Sequence, residues 1–141
     1  MDFTPEPIPS PGAADLNGLR ILVVDDETDI RELVAFILQQ SGAAVTVAAS
    51  AEEALAAWNQ SVPDVLLSDI GMPDVDGYML MRQVRTFSAQ QGGQIPAIAL
   101  TAYAGEYNQQ QALQAGFQLH ISKPVEPEEL VRAIARLVGR G

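Results

Sequence analysis

The chain has 141 residues, enough for one domain with a hydrophobic core, and 48% of them are hydrophobic, as in ordinary globular proteins. Its 18 acidic and 8 basic residues give a net charge of −10, which argues against direct binding to a nucleic-acid backbone. Cysteine is absent, which excludes disulfides and thiolate metal sites, and no apolar run is long enough to span a membrane. Because the N-terminus also lacks the pattern of a signal peptide, we expect a cytoplasmic protein.

Residues 1–18 predict a flexible tail or linker. Prolines at alternate positions dominate this segment, and it has almost no periodic apolar pattern: Pro5, Pro7, Pro9 and Pro11. Such a composition favours extended conformations and cannot bury enough surface to fold alone. We therefore expect the folded domain to occupy residues 19–141.

From Leu19 onward, short apolar runs alternate with amphipathic segments. The runs are nearly continuous and of strand length: ILVV, AAVTVAA, DVLLSD, IPAIALT and FQLHIS. The segment after the first run predicts a helix that ends at Ser41 and Gly42. Its apolar stripe has the spacing of one helical face: Ile30, Leu33, Val34, Ile37 and Leu38.

Four further helices follow the other runs. Ser50 begins the second helix, and Glu53 completes the pattern of a capping box. We expect the fourth helix at about residues 105–115 and the last one to start at Pro127. Inward-facing side chains are predicted on the second and third helices: Leu55, Trp58, Leu80, Met81 and Val84.

This alternation of strands and helices predicts an α/β fold. Near-continuous apolar strands are typical of a parallel sheet that helices cover on both faces. Right-handed crossovers then favour a flavodoxin-like, doubly wound sheet of five strands and five helices, in the strand order 2-1-3-4-5. In that order the crevice for ligands opens between the first and third strands.

A set of polar residues follows the predicted strands, each at a carboxyl end: Asp25, Asp26, Asp69, Thr101 and Lys123. Taken singly, these residues are ordinary caps, turn formers or surface charges. Because parallel strands end at the same edge of a sheet, we expect them to gather there. Carboxylates together with a hydroxyl and an ammonium suit Mg²⁺ and a phosphoryl group.

Two members of this set allow a finer interpretation. Asp69 is a candidate nucleophile towards phosphorus, because a carboxylate can form an acyl phosphate. Lys123 precedes Pro124, which restricts the lysine to extended conformations. The Lys123-Pro124 bond is therefore a candidate cis peptide bond in a tight turn.

The motifs in this order resemble those of a response-regulator receiver domain of two-component signalling. They are Asp-Asp after strand one, Asp before GMPDVDG after strand three, Thr-Ala after strand four and Lys-Pro after strand five. The resemblance spans about Leu19 to Val138. The proline-rich start and the stretches LNGLRILVVDD and GFQLHISKPVEP look most like receivers of hybrid histidine kinases, so we expect either a stand-alone receiver or part of a longer protein.

The resemblance implies a phosphorelay function. Asp69 would accept a phosphoryl group from phosphohistidine on a histidine kinase or a histidine phosphotransfer domain. Mg²⁺ would be held by Asp26, Asp69 and the carbonyl oxygen of Gly71, with Asp25 acting mainly through bound water. The chain would then be a signalling phosphoacceptor that assists its own phosphorylation and dephosphorylation, and not an enzyme with a separate substrate.

The resemblance also implies a conformational switch. Lys123 would pair with the acyl phosphate and Thr101 would swing towards it, vacating space that an aromatic residue fills in the family. His120 occupies that position here, a departure that leaves a gating role and a half-buried structural role equally open. The face made by helix 4, strand 5 and helix 5 would carry the signal to a protein partner. Tyr103 beside the site and Gly71 further suggest slow self-dephosphorylation.

Other classes of protein fit the sequence less well. A haloacid-dehalogenase-like phosphatase needs its nucleophile on the first strand and a second aspartate two residues later, whereas Asp69 follows strand three and Gly71 comes two residues after it. A flavodoxin would place a phosphate at the first loop, whose sequence DDETD repels one. A phosphorylation-independent binding module remains an alternative, although no residue of the site is missing.

Overall fold

The computed structural model of the chain describes residues 15–70, 76–102 and 106–140. It contains five strands in this part: β1 Arg20–Val24, β2 Ala44–Ala48, β3 Val65–Asp69, β4 Ala97–Thr101 and β5 Leu119–Ser122. Five α-helices alternate with them: α1 Thr28–Gln40, α2 Ala51–Gln60, α3 Gly77–Arg85, α4 Glu106–Ala115 and α5 Pro127–Leu137. A short 3-10 helix, Ala89–Gln91, precedes β4.

All strand pairs in the sheet are parallel, and the order is β2-β1-β3-β4-β5. This confirms the flavodoxin-like fold predicted from the sequence. The first strand therefore lies between the second and the third, and the chain reverses its direction of winding there. The crevice at the carboxyl ends of β1 and β3 is the place where such sheets bind ligands.

The two faces of the sheet carry separate hydrophobic cores. Alternate strand residues point to opposite faces, so Ile21 and Val23 join the core under α1 and α5, whereas Leu22 and Val24 join the core under α2, α3 and α4. β3 and β4 are buried along their whole length. Buried side chains on both faces hold these two central strands in a fixed register, and thereby fix where their carboxyl ends lie.

The helix starts follow local capping chemistry. Ser50 Oγ accepts a hydrogen bond from the Glu53 N–H group at 3.1 Å, as predicted. The Glu53 carboxylate in turn accepts a hydrogen bond from the Ala49 N–H group at 3.3 Å. In a standard capping box the donor would be the N–H group of the next residue, Ser50. Asp76 caps α3 through the Met79 N–H group. α5 begins at Pro127 as predicted, because proline at the first helical position loses no hydrogen bond.

One part of the predicted α1 stripe is wrong. Val34, Ile37 and Leu38 are buried, but Leu33 is 50% exposed, and Phe36 is 59% exposed. The helix rests on the sheet along a narrow arc, so a side chain one position away from Val34 is turned by about 100° and lies on the flank. α1 therefore presents two large apolar side chains to the outside of this domain.

The packed part of the chain begins ahead of Leu19. Leu16 is fully buried in the core, and its N–H group donates to the carbonyl oxygen of Ser41 at 3.0 Å. Arg140 donates to the carbonyl oxygen of Asn17 at 2.7 Å, which joins the two ends of the domain. In the part of the chain that the structure describes, no helix combines the length and the apolar character required to cross a bilayer.

Candidate functional site

Four carboxylates meet at the carboxyl end of β1 and β3. Asp25, Asp26 and Glu27 follow β1, Asp69 is the last residue of β3, and one oxygen of each lies within 4.8 Å of the others. We call these four residues the acid cluster. Asp25 is fully buried and Asp69 is 5% exposed, whereas Asp26 and Glu27 face solvent. The cluster thus has a buried side and an open side.

Lys123 is a buried cation that forms ion pairs with carboxylates of the acid cluster. Its side chain is 9% exposed, and its Nζ lies 2.9 Å from Asp25, 3.5 Å from Asp69 and 3.7 Å from Glu27. Burial disfavours the ammonium form, but the contact with Asp25 and the charges of Asp25, Asp69 and Glu27 outweigh it and raise the pKa of Lys123. Lys123 is therefore charged at neutral pH and touches the carboxylates of both β1 and β3.

Asp25 is fixed by contacts around it and keeps one acceptor open. Its Oδ1 accepts from the Glu27 N–H group at 2.9 Å, and its carbonyl oxygen accepts from Arg31 at 2.8 Å. Its Oδ2 is buried and has no hydrogen-bond partner among the described residues. This atom lies 2.9 Å from Lys123 Nζ, with which it forms an ion pair.

These donors fit Mg²⁺. The ion prefers carboxylate oxygens and keeps several waters, so it needs few protein ligands. The acid cluster offers carboxylate oxygens from two strand ends, and the buried Asp25 Oδ2 can still accept a bond from an ordered water. The predicted ligand Gly71 lies outside the described residues.

Asp69 is held rigidly at the end of β3. The neighbouring Ile70 N–H group donates to Leu100 of β4, and the carbonyl oxygen of Asp69 accepts from Ser68 Oγ at 3.0 Å. A Cβ atom at Gly77 would collide with that carbonyl oxygen, so the start of α3 can approach β3 because residue 77 is glycine. The Asp69 carboxylate is thereby presented at the crevice from a backbone that has little freedom.

Thr101 and Lys123 end neighbouring strands. Thr101 is 1% exposed, and its carbonyl oxygen accepts from the Lys123 N–H group at 2.7 Å. Any displacement of the end of β4 is therefore transmitted directly to the lysine. The bond between Lys123 and Pro124, the candidate from the sequence, is cis.

His120 lies on the same face of the sheet as Thr101. It pairs with Ala99 in the sheet register, and Ala99 and Thr101 are two residues apart on β4. Its side chain is partly buried, and its Nε2 atom is buried without a hydrogen-bond partner among the described residues. Beside it, a groove of about 160 Å³ opens between α4 and β5 and is lined by Leu113 and Leu119 among others. The other residue predicted near the site, Tyr103, lies outside the described residues.

Two residues at the site were missed by the sequence interpretation. Glu27 completes the acid cluster, and Arg31 anchors the Asp25 backbone from the first turns of α1. The signal for Glu27 was present as a third acidic residue directly after Asp25 and Asp26. Arg31 left no such signal, because its role depends on a side chain that reaches back to a carbonyl group.

The chain was also compared with known proteins. The family model described as "Response regulator receiver domain" matches residues 21–135. That segment includes every element from β1 to nearly the end of α5. The chain belongs to this family. It is a response regulator receiver domain of the kind found in two-component regulatory systems.

Similar curated proteins agree with this assignment. An uncharacterized 14.6 kDa protein in the sodA1 3' region of Leptolyngbya boryana is 48% identical over 114 residues, covering 81% of this chain and 86% of that protein. The transcriptional regulatory protein ResD of Bacillus subtilis is 37% identical over 124 residues, which is 88% of this chain and 50% of ResD. This receiver domain therefore spans about half the length of that regulator.

Solved structures of similar proteins share the fold. The chemotaxis protein CheY4 of Vibrio cholerae is 32% identical, with a TM-score of 0.79 over 84% of this chain and 98% of that one. A CheY-like receiver domain protein of Methanospirillum hungatei is 33% identical, with a TM-score of 0.76 over 86% and 95% of the two chains. A "Probable histidine kinase 2" of Oryza sativa subsp. indica is 33% identical, but this chain covers 13% of it. The origin in a hybrid histidine kinase stays a prediction.

Proposed function

We propose that this receiver domain takes a phosphoryl group from phosphohistidine onto Asp69, in the presence of Mg²⁺, and signals the change to a protein partner. The observation that carries the proposal is the junction of the acid cluster with Lys123 around the nearly buried Asp69 carboxylate. Asp69 is the member of the cluster that follows the central strand β3 and is held by a rigid backbone. The donor would be a histidine kinase or a histidine phosphotransfer domain.

The reaction is a transfer between two nucleophiles. A carboxylate oxygen of Asp69 forms a bond to phosphorus while the bond from phosphorus to the histidine nitrogen breaks. The electron pair of the broken bond stays on the ring nitrogen, and because the other ring nitrogen is protonated in the donor, the histidine leaves as a neutral imidazole. Asp69 begins the reaction ionised, with Lys123 at 3.5 Å to balance its charge.

The charges around Asp69 explain the need for a cation. Three negative charges remain when the four carboxylates of the acid cluster are paired with Lys123, and a phosphoryl donor is itself anionic. Mg²⁺, held by Asp26 and Asp69 with Asp25 behind them, would neutralise two of these charges and polarise the phosphoryl oxygens. Lys123 lies close to both Asp25 and Asp69. Its ammonium group can therefore exchange its contact with Asp25 for one with the oxygens of a phosphoryl group on Asp69.

The donor would dock near the site, over α1 and the loop after Lys123. Leu33 is 50% exposed and Phe36 is 59% exposed on the flank of this helix, which begins directly after the acid cluster. Apolar side chains in such a position suit the helical surface of a partner that carries the phosphohistidine. Docking there would bring the donor histidine to the open side of the cluster.

The signal would leave through the α4–β5 groove. Thr101 moving towards the phosphoryl group pulls on the end of β4, which is bonded to Lys123 of β5. His120 on the same face has a buried nitrogen without a partner among the described residues, so its position is not fixed by a hydrogen bond of that atom. Leu113 and Leu119 are exposed beside it and would contact the partner.

Intact-mass spectrometry after incubation with acetyl phosphate tests this function. We expect a gain of one phosphoryl group that requires Mg²⁺ and is absent from Asp69→Asn. Loss of Mg²⁺ dependence, or equal labelling of the variant, would contradict the proposal. If neither phosphorylation nor binding of beryllium fluoride occurs in the wild-type chain, a phosphorylation-independent binding module becomes the better interpretation.

A further inference from the structure

Glu27 is unusual for a residue that directly precedes a helix. It is the N-cap of α1, where a short polar side chain normally accepts from the helix N–H groups, but its side chain makes no such bond. Instead its carboxylate joins the acid cluster and lies 3.7 Å from Lys123. The backbone N–H group of Glu27 donates a hydrogen bond to Asp25 Oδ1 at 2.9 Å. The side chain is therefore directed to the site and not to the helix.

Glu27 adds one negative charge to the site. Without it, three carboxylates of the acid cluster remain, with the cations of Lys123 and Arg31 beside them. With or without a bound cation, the site is therefore more negative by one charge when Glu27 is present. The Glu27 side chain is 61% exposed, whereas those of Asp25 and Asp69 are at most 7% exposed, so the extra charge stands on the open side of the cluster.

On the basis of the proposed function, we propose that Glu27 is a specificity-determining residue that selects phosphoryl donors by charge. Its carboxylate repels small donors that carry two negative charges. A histidine-bearing protein can offset that charge with cationic side chains of its own, and so escapes the penalty. The same carboxylate strengthens the binding of Mg²⁺ by adding one negative charge close to the cation.

The effect scales with the charge of the donor. The repulsion between Glu27 and a donor several ångströms away is proportional to the donor charge and is screened by salt. Removing the Glu27 charge should therefore speed a donor with two negative charges about fivefold at low ionic strength, and a donor with one about twofold. In concentrated salt the ratio of the variant rate to the wild-type rate should fall towards one for both donors, because the Debye length falls to a few ångströms.

The variant Glu27→Gln isolates this charge. It keeps the backbone N–H group that supports Asp25, and a side chain of the same length. Asp15→Asn is the matched control: it removes one charge from an exposed residue at the opposite end of the sheet, and its amide oxygen can still accept from Asn17. Unfolding curves of both variants would verify that each is folded.

We would measure initial phosphorylation rates with acetyl phosphate, which carries two negative charges, and phosphoramidate, which carries one, at saturating Mg²⁺. Calorimetric titration with Mg²⁺ gives a second readout that needs no phosphorylation. For Glu27→Gln we expect the faster rates above, a larger gain with acetyl phosphate, and Mg²⁺ binding weaker by about threefold to tenfold. Asp15→Asn should match the wild-type chain in every measurement.

The outcomes separate the two proposals. If the wild-type chain gains no phosphoryl group from either donor, the proposed function fails. If the wild-type chain is phosphorylated but Glu27→Gln has equal rates, or slower rates with both donors, the inference about Glu27 fails alone. An equal gain with both donors, or one that persists in concentrated salt, would also overturn it, because a charge effect must depend on donor charge and on screening.

Discussion

The charged side chains at the two ends of the sheet are paired differently. At the amino end, the side chains of Arg20, Arg85 and Arg140 each donate hydrogen bonds to one carboxylate or to backbone carbonyl oxygens. At the carboxyl end, three of the four carboxylates of the acid cluster share Lys123, those of Asp25, Glu27 and Asp69. The amino end is arranged for stability, whereas the carboxyl end accumulates like charges that a bound cation would relieve. Such an accumulation is typical of a functional site.

The comparison teaches where each kind of mutation should act. A change at the amino end removes satisfied hydrogen bonds and should lower the free energy of unfolding with or without Mg²⁺. A change at the carboxyl end should alter stability in a way that depends on the cation. Four substitutions test this difference, from the largest expected effect to the smallest.

Lys123→Met should be the most destabilising change when Mg²⁺ is absent. It leaves Asp25 and Asp69 buried without their cation, and removing one partner of a buried ion pair costs about 3 to 5 kcal/mol. Urea unfolding would measure the loss, and saturating Mg²⁺ should restore part of it. Arg132→Met, which removes an exposed cation 3.7 Å from Glu128, should cost less than about 0.5 kcal/mol. Equal losses of unfolding free energy in the two variants would contradict the claim that the buried charges at the carboxyl end depend on Lys123.

Arg85→Met should cost about 3 kcal/mol, independently of Mg²⁺. The guanidinium group donates to Gly93 and Ile95 before β4 and to Gly116 after α4, at 2.7 to 3.0 Å, and the variant leaves these carbonyl oxygens without their donor. Arg82→Met on the exposed face of α3 is the control. Arg85→Lys should fall between them, because an ammonium cannot reach all three carbonyl groups at once. If the unfolding free energy lost in Arg85→Met changed strongly with Mg²⁺, the proposed difference between the two ends of the sheet would be contradicted.

Mg²⁺ itself should stabilise the wild-type chain by about 2.7 kcal/mol at a concentration one hundred times its dissociation constant. Asp26→Asn should lose most of this gain, because it removes an exposed carboxylate from the acid cluster. Without the cation, the same variant should be slightly more stable than the wild-type chain, by about 0.5 kcal/mol, since repulsion between like charges is relieved. Thermal unfolding with Mg²⁺ or a chelator would separate the two effects; destabilisation under both conditions would contradict the account.

Asp64→Asn should give the smallest effect, and one that depends on pH. Burial is the largest single influence and raises the pKa of Asp64, but the hydrogen bonds and charge of Arg20 together with the charge of Arg140 outweigh it and lower the pKa below 3.8. The stabilisation is therefore complete above the pKa of the unfolded chain and is lost as the pH falls through the folded value. We expect a difference of about 0.5 kcal/mol at neutral pH, measured by urea unfolding, that disappears in acid. A difference that grows in acid would reverse the assigned sign.

The sequence predicted the fold well because its strands are nearly continuous apolar runs. β3 and β4 are buried along their whole length, and their ends are marked by Asp69 and Thr101. Side-chain direction was harder to predict. Leu33 shares the spacing of the buried α1 face but lies on its flank, because the arc covered by the sheet depends on how the helix rests there.

The site was predicted in its strand-end residues and missed in those that depend on long-range contacts. Asp25, Asp26, Asp69 and Lys123 meet because parallel strands share an edge. Arg85 reaches carbonyl groups in segments far from it in sequence, which no local pattern encodes. Glu27 could serve equally as a helix start or as a site residue until its side-chain direction was known.

The most direct test of the central claim is to locate the phosphoryl group on the chain. Borohydride reduction converts an aspartyl phosphate to homoserine, which tandem mass spectrometry places in the sequence. After treatment with acetyl phosphate and Mg²⁺, the account predicts homoserine at position 69 and none when Mg²⁺ is removed by a chelator. Homoserine at another acidic residue of the cluster, or a modification that borohydride does not reduce, would contradict the assignment of Asp69 as the phosphoacceptor.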